Sequence, residues 1–284
     1  GGLLAFGMPT VPMLAGPTAS GKSAAALALA QRFGLHIVSA DSMQVYVGMD
    51  VGTAKPSAGE RALVPHHLID VVTPAEPFSV ADYVHRAEDA IDAALAEGAG
   101  AIVVGGTGFY LRALRQGLPT VPSADMTAQA PLWRAVEEGR LEELVAELTA
   151  AAPEDAARAA RNPRRVVRSL EVLRATGRPP SAYPRRPPRH AYDLVVLDPP
   201  TQALAERIDE RAGRMFAAGL VEEVRALMAL YPDQPTALQA IGYKEVLQHL
   251  GGLTTEEEAV AAVALASRQY AKRQRTWFRR EADA

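Results

Sequence analysis

The chain has 284 residues, which is enough to bury a sizeable core without a disulfide or a structural metal. It contains no cysteine, which excludes a disulfide framework and thiolate metal sites. A formal net charge of -3 argues against a nucleic-acid binder that is basic over its whole surface, although it leaves local basic patches open.

The apolar runs are too short and too rich in alanine to cross a bilayer, so we expect a cytoplasmic protein without membrane attachment. Residues 1–7 resemble neither a strand nor a helix and are assigned no function. Lysine occurs only at positions 22, 55, 244 and 272, so arginine supplies nearly all the positive charge. A single arginine is therefore weaker evidence of a binding site than usual.

In chain order, residues 13–15 predict a strand that enters a glycine-rich loop, and residues 24–33 predict a helix. Two more buried strands are predicted at 36–40 and 101–104, followed by Asp41 and by Gly-Gly-Thr-Gly respectively. A capping-box pattern at Ser79 predicts a helix running to about residue 97, and 194–197 predicts a further strand. This alternation indicates an α/β fold with a P-loop-type parallel sheet, flanked by helices, whose ligands bind at the carboxyl ends of the strands.

The pattern changes between residues 117 and 190, where helical segments at 132–148 and 165–175 lie between proline-rich stretches. We interpret 117–190 as a helical insertion domain, and 8–116 with 191–284 as the α/β core and its C-terminal helices. Those last helices are predicted at 202–218, 220–230, 238–250 and from 255 towards 280.

The glycine-rich loop matches the phosphate-binding pattern G-x-x-x-x-G-K-[ST] in the expected place between a strand and a helix. Its residues are Gly16, Pro17, Thr18, Ala19, Ser20, Gly21, Lys22 and Ser23. Backbone N–H groups and the helix N-terminus would cradle an anion, Lys22 would add charge, and the Ser23 hydroxyl could bind Mg²⁺. Kinases, ATPases and GTPases share this loop, so it does not identify the phosphate compound.

The chain lacks one feature that is usual in P-loop nucleotidases. P-loop nucleotidases usually end a buried strand in an aspartate that holds Mg²⁺, whereas the strand at 101–104 ends in Gly-Gly-Thr-Gly. Asp41 is the remaining strand-end carboxylate near the loop, and it could bind metal or act as a base.

Two basic segments are candidates for contacts with the phosphates of a ligand. Helical spacing places Arg164, Arg165 and Arg168 largely on one face with Arg161, and the predicted contact segment is Arg164, Arg165, Val166, Val167 and Arg168. In the last helix, Lys272 and Arg273 stand among the aromatic residues Tyr270, Trp277 and Phe278. The alternatives are a solvated arginine-rich face and aromatic residues that anchor the helix to the core. For His66 and His67 we favour structural roles, because adjacent strand residues face opposite ways.

Several further segments accompany the loop in order and spacing: 41–46 (DSMQVY), 48–56 (GMDVGTAKP), 66–70 (HHLID), 105–110 (GGTGFY), 165–172 (RVVRSLEV), 241–245 (IGYKE) and 270–279 (YAKRQRTWFR). Together they closely resemble the bacterial tRNA dimethylallyltransferases over about residues 12–280.

That resemblance implies transfer of a dimethylallyl group from dimethylallyl diphosphate to N6 of the adenosine 3′ to the tRNA anticodon, with Mg²⁺ as cofactor. It implies that Asp41 is the base, that Thr18 lies near the leaving oxygen, and that Ser42, Met43, Gln44 and Thr107 contact the anticodon stem-loop. It also implies that the insertion domain 117–190 contacts tRNA. Arg211 is the best match to a diphosphate-binding arginine, with Arg207 and Arg214 as competitors. We expect a monomer. The alternatives are a P-loop small-molecule kinase, which would consume nucleotide, and a non-catalytic RNA-binding module.

Overall fold

The computed structural model describes residues 10–234 and 237–282, so the prediction for residues 1–7 lies outside it. Two compact units are present: one combines the described residues before 116 and after 187, and the other is Gln116–Pro187. The strands are β1 (Val11–Ala15), β2 (Leu35–Ala40), β3 (His66–His67), β4 (Gly100–Gly105), β5 (Leu118–Pro119), β6 (Arg185–Arg186) and β7 (Tyr192–Val196). The helices are α1 (Lys22–Phe33), α2 (Ala58–Leu63), α3 (Val80–Ala96), α4 (Gly108–Gln116), α5 (Met126–Glu137), α6 (Leu141–Ala151), α7 (Pro153–Ala159), α8 (Pro163–Thr176), α9 (Thr201–Ala217), α10 (Leu220–Leu230), α11 (Tyr243–Leu250) and α12 (Glu256–Ala282).

The first unit is built on a parallel sheet with strand order β3-β2-β4-β1-β7. Its central strands are apolar and buried, as expected of a sheet covered by helices on both faces. Ala15 pairs with Gly105, and Gly105 pairs with Ala40, so three strands end at one level. The loops that follow therefore leave from one edge. The predicted α/β fold is confirmed.

Two of the predicted helices are each interrupted by a glycine in the structure. The helix predicted at 132–148 is two helices, because Gly139 adopts a φ of 78° between α5 and α6. The helix predicted at 238–250 is a short 3₁₀ helix, Ala237–Gln239, followed by α11, with Gly242 at a φ of 96° between them. The capping box predicted at Ser79 is present at the start of α3.

The C-terminal helices of this unit form a second apolar core beside the sheet. Phe216, Leu220, Tyr243 and Val263 pack there around Met49, which is fully buried. Helices α9 and α12 contact each other along this core. Among the described residues, no helix combines the length and apolar character needed to span a membrane.

The second unit is helical, with a core between α5, α6, α7 and α8. Leu132, Leu148, Val167 and Leu170 are at most 1% exposed within it. The antiparallel pair β5 and β6 brings the two ends of this unit together.

Candidate active site

The phosphate loop joins β1 to α1, as its sequence predicts. Ala19 and Gly21 adopt left-handed conformations, with φ of 61° and 89°, and the Ser20 N–H donates to Pro17 O at 3.2 Å. Alternation of left-handed and right-handed residues turns successive N–H groups towards one side, which produces an anion nest. Gly16 cannot carry a side chain without displacing its neighbours, because a Cβ there would lie 2.7 Å from Leu197 O.

Two half-buried cations face this nest without carboxylate partners. Lys22 Nζ donates to Pro17 O at 3.2 Å, and Arg211 Nη1 donates to Thr18 Oγ1 at 3.1 Å. Within residues 10–234 and 237–282 neither side chain forms an ion pair. Burial lowers the pKa of Lys22 to about 8, with the Asp41 carboxylate opposing that change and Arg211 adding to it. Burial also lowers the pKa of Arg211. Unpaired charges in such a place indicate an anion site.

Asp41 follows β2 on the same edge of the sheet. Its Oδ1 accepts hydrogen bonds from Met43 N at 2.8 Å and Gln44 N at 3.2 Å, which fixes the carboxyl group. The other oxygen, Oδ2, has no hydrogen-bond partner in the described part of the chain. Ser42 N donates to Thr107 Oγ1 at 3.0 Å, so the Thr107 hydroxyl supports the Asp41 turn.

Gln44 has a largely internal role. Ser39 Oγ donates to Gln44 Oε1 at 3.1 Å, and Gln44 Nε2 donates to Thr53 O at 3.1 Å. The amide therefore holds the 50–55 segment against β2.

Asp41 and Thr18 line a cavity of about 290 Å³ in the first unit. Much of its wall is apolar, supplied by Ile208, Ala212, Met215, Ile241 and Val263. A second, open cleft of about 870 Å³ is lined by the phosphate loop together with Lys55, Arg207, Arg211 and Arg214. Arg211 lines both. The site thus joins a cationic cleft to an apolar cavity.

The three competing arginines of α9 differ in environment. Arg211 is half-buried and bonded to Thr18, whereas Arg207 and Arg214 are exposed at the cleft and Arg214 approaches Glu210 at 3.4 Å. The geometry favours Arg211 for diphosphate binding.

Sequence reasoning missed the pair that closes the cavity wall. The Glu223 carboxylate accepts from Val51 N at 2.8 Å, Gly52 N at 3.3 Å and the Tyr243 hydroxyl at 2.5 Å. A Cβ at Gly52 would lie 2.4 Å from Tyr243 Cε2, so the ring occupies the place of a side chain. Val51 and Gly52 lie in the segment GMDVGTAKP and Tyr243 lies in IGYKE, but nothing in these segments identifies Glu223 as their partner.

The basic segment of α8 lies in the second unit, and the structure corrects part of its prediction. Val166 and Val167 are 1% and 0% exposed in the helical core, so their side chains cannot contact RNA. Arg161 lies outside α8, because Asn162 caps the helix by accepting from Arg165 N at 3.3 Å. Arg164 is exposed and has no side-chain partner among the described residues.

The other two arginines of that segment are engaged. Arg165 Nη1 donates to Arg158 O at 3.1 Å, and Arg168 pairs with Glu171 at 2.8 Å and donates to Pro122 O.

In the last helix, Lys272 and Arg273 are exposed, whereas the aromatic residues anchor the helix. Phe278 is 2% exposed, and a Cβ at Gly108 would lie 2.7 Å from the Trp277 indole.

Among the described residues no group of three or more His, Asp or Glu side chains could hold a metal ion. The exposed Ser23 hydroxyl of the phosphate loop is a side chain that could bind a divalent cation. His36 Nδ1 and His67 Nε2 are 3.1 Å apart, consistent with a structural role for His67.

The fold and the site define an α/β protein of the P-loop class, in which the phosphate loop opens next to an apolar cavity. The family model described as IPP transferase matches residues 44–281. Similar curated proteins are the tRNA dimethylallyltransferases of Thermus thermophilus, 53% identical over 96% of this chain and 91% of the relative, and of Deinococcus radiodurans, 47% identical over 97% and 92%.

Two solved structures agree. The full-length tRNA isopentenylpyrophosphate transferase of Bacillus halodurans gives a TM-score of 0.69 at 37% identity, covering 95% of this chain and 86% of that one. A eukaryotic dimethylallyltransferase acting on tRNA gives 0.77 at 28% identity, covering 94% and 69%. The chain belongs to the tRNA dimethylallyltransferase family, and the kinase alternative is not favoured.

Proposed function

We propose that this chain transfers a dimethylallyl group from dimethylallyl diphosphate to N6 of the adenosine 3′ to the anticodon of tRNA, releasing diphosphate. Membership of the family supports this activity. The observation in the structure that carries it is the junction between a nest with two unpaired cations and an apolar cavity that also contains Asp41. A diphosphate leaving group, a small hydrocarbon and an amine nucleophile require those three environments together.

The loop would act on the leaving group. As the allylic C–O bond breaks, its electron pair departs with the diphosphate, and negative charge grows beside the N–H groups, Lys22 and Arg211. Preorganised donors of this kind stabilise the developing charge by about 3 kcal/mol each. Thr18, whose hydroxyl accepts from Arg211, would lie at the bridging oxygen.

Asp41 would act on the nucleophile. The adenine N6 forms the new C–N bond and loses one proton, which the Asp41 carboxylate accepts. Its Oδ1 is already fixed by two backbone N–H groups, so Oδ2 is the oxygen available to the amine. The adenine must leave the anticodon stack to reach this cavity.

Mg²⁺, held by Ser23 and the diphosphate, would add positive charge at the leaving group.

The RNA would contact Ser42, Met43, Gln44 and Thr107 near the cavity. Arg164, Arg165 and Arg168 of the helical unit, with Lys272 and Arg273 of α12, would contact its phosphates. Among the three arginines of α8, Arg164 is the best placed to do so, because its charge has no protein partner in the described residues. We also propose that the protein acts as a monomer in the cytoplasm, where its substrate tRNA is found.

The test uses two RNAs. Purified protein is incubated with Mg²⁺, radiolabelled dimethylallyl diphosphate and unmodified tRNA, or the same tRNA with guanosine at the position 3′ to the anticodon. We expect label only in the adenosine RNA. Equal labelling of both RNAs, or of neither, contradicts the proposal.

A further inference from the structure

One buried amide connects the two loops of the site. Gln274, on α12, is 6% exposed. Its Oε1 accepts from Thr18 N at 2.9 Å, and its Nε2 donates to Gly106 O at 2.9 Å. Each end of the amide therefore has a different loop as its partner.

The two hydrogen-bond partners of the amide belong to loops that serve different reactants. Thr18 belongs to the phosphate loop and holds the hydroxyl that Arg211 contacts. Gly106 precedes Thr107, whose Oγ1 accepts from the N–H of Ser42, the residue after Asp41. The chain of contacts thus runs from the leaving-group side to the base.

The turn at Gly106 is shaped to receive this amide. A Cβ at Gly106 would lie 2.4 Å from Gln274 Nε2 and 3.1 Å from Gly16 O. Only glycine leaves room for the amide there. An amide is also the group that fits both ends, because it presents one acceptor to an N–H and one donor to a carbonyl.

We propose that Gln274 is a positioning residue for the transfer reaction, which sets the phosphate loop in register with the Asp41 turn. This inference rests on the proposed function. In-line attack requires the amine, the allylic carbon and the departing oxygen to be aligned, and misplacement by about 1 Å costs on the order of a hundredfold in rate. Gln274 would not itself touch a substrate. It would act through its hydrogen bonds to Thr18 N and Gly106 O.

The first test is Gln274→Ala, with Gln202→Ala as the matched control. Gln202 is an exposed glutamine of α9 whose side chain donates a hydrogen bond to Glu206 on its own helix. We expect Gln274→Ala to lower kcat about a hundredfold, while KM for tRNA changes less than threefold and the protein remains folded at the assay temperature. Gln202→Ala should match wild type.

Gly106→Ala tests the same junction from the other side. The new methyl group must displace the amide, so we expect a loss of kcat like that of Gln274→Ala. In the double variant the amide no longer occupies this space, and Gly16 O, at 3.1 Å, is the remaining close neighbour of the methyl group. The double variant should therefore be within about threefold of Gln274→Ala, whereas independent sites would multiply their losses.

Wild type is measured first by label transfer, and binding is followed separately by the rise in Tm that inorganic pyrophosphate produces. A wild-type protein that transfers no label overturns the proposed function. With an active wild type, the inference about Gln274 is overturned by a Gln274→Ala kcat within twofold of wild type. It is also overturned if the fraction of unfolded protein accounts for the whole loss of kcat in Gln274→Ala. A double variant whose loss of kcat is the product of the two single losses would overturn it as well.

Discussion

The phosphate-binding site, with Lys22 and Arg211, and helix α8 both carry positive charge, but the environments of these charges differ. Around α8 most arginines are bound to glutamates: Arg161 to Glu142, Arg168 to Glu171 and Arg174 to Glu147. At the loop, Lys22 and Arg211 have only uncharged oxygen acceptors within the described residues, and the neighbouring Asp41 forms no ion pair.

This difference distinguishes a binding site from a segment that is merely rich in arginine. Exposed ion pairs such as Arg174 with Glu147 contribute about 0–1 kcal/mol each and say little about function. Partly buried charge without a counter-ion is costly, and the lowered pKa of Lys22, about 8, records that cost. Such charges indicate a binding site for a ligand of opposite sign. Arginine content alone could not have made this distinction.

The largest expected effect comes from the carboxylate among these unpaired charges. Asp41→Asn keeps the size of the side chain and an oxygen that can accept from Met43 N, but it removes the base. Because general bases contribute about 10²- to 10⁴-fold, we expect kcat to fall by that range while tRNA binding is retained. Single-turnover rates and filter binding measure the two. Turnover within a few-fold of wild type would remove Asp41 from the role of base.

Removing an unpaired cation comes next. Lys22→Ala should lower kcat by about 10²- to 10³-fold, because one preorganised donor to the leaving diphosphate is lost. Lys55→Ala is a useful contrast, since Lys55 is bound to Asp50 at 2.7 Å and to Asp70 at 2.5 Å. Its loss should chiefly lower Tm. Equal catalytic losses in two folded variants would erase the distinction between unpaired and paired cations.

The lowered pKa of Lys22 predicts a pH dependence. In the free protein Lys22 is protonated below about pH 8 and neutral above it, and an alkyl diphosphate binds the protonated form. Between pH 7 and pH 9 the Kd for dimethylallyl diphosphate should therefore rise about tenfold. Titration calorimetry measures it, with Lys22→Arg as the control that stays charged. A Kd that falls or is constant in wild type would show that the Lys22 charge is not used.

The smallest effects are expected on α8. Arg164→Ala removes an arginine without a protein partner among the described residues, so it should weaken tRNA binding several-fold and reduce the salt dependence by about one phosphate contact. Arg174→Ala removes an arginine held by Glu147 at 2.6 Å and should leave binding nearly unchanged. Filter binding at several salt concentrations separates them. Identical salt slopes for the two variants would contradict the distinction.

Local patterns made the sheet and the phosphate loop predictable. The loop at Gly16–Ser23 is specified by its own residues, and Asp41 follows a strand whose apolar run is plain in the sequence. The cavity wall and the Gln274 bridge depend on partners far apart in the chain. Glu223 is 172 residues from Val51, and Gln274 is 256 residues from Thr18. No local periodicity encodes such contacts.

Two differences between the sequence predictions and the structure have a local physical cause. Val166 and Val167 lie in the segment predicted to contact RNA, but helical geometry turns their side chains into the core. The predicted helix at 132–148 ignored Gly139, which adopts a left-handed conformation between α5 and α6.

The unpaired charges at the phosphate loop are proposed to serve a departing diphosphate. Product analysis of a single turnover tests this, with dimethylallyl diphosphate, unmodified tRNA, Mg²⁺ and ATP all present. We expect equal amounts of inorganic pyrophosphate and prenylated tRNA, with ATP intact. Formation of ADP, or pyrophosphate without prenylated RNA, would contradict it.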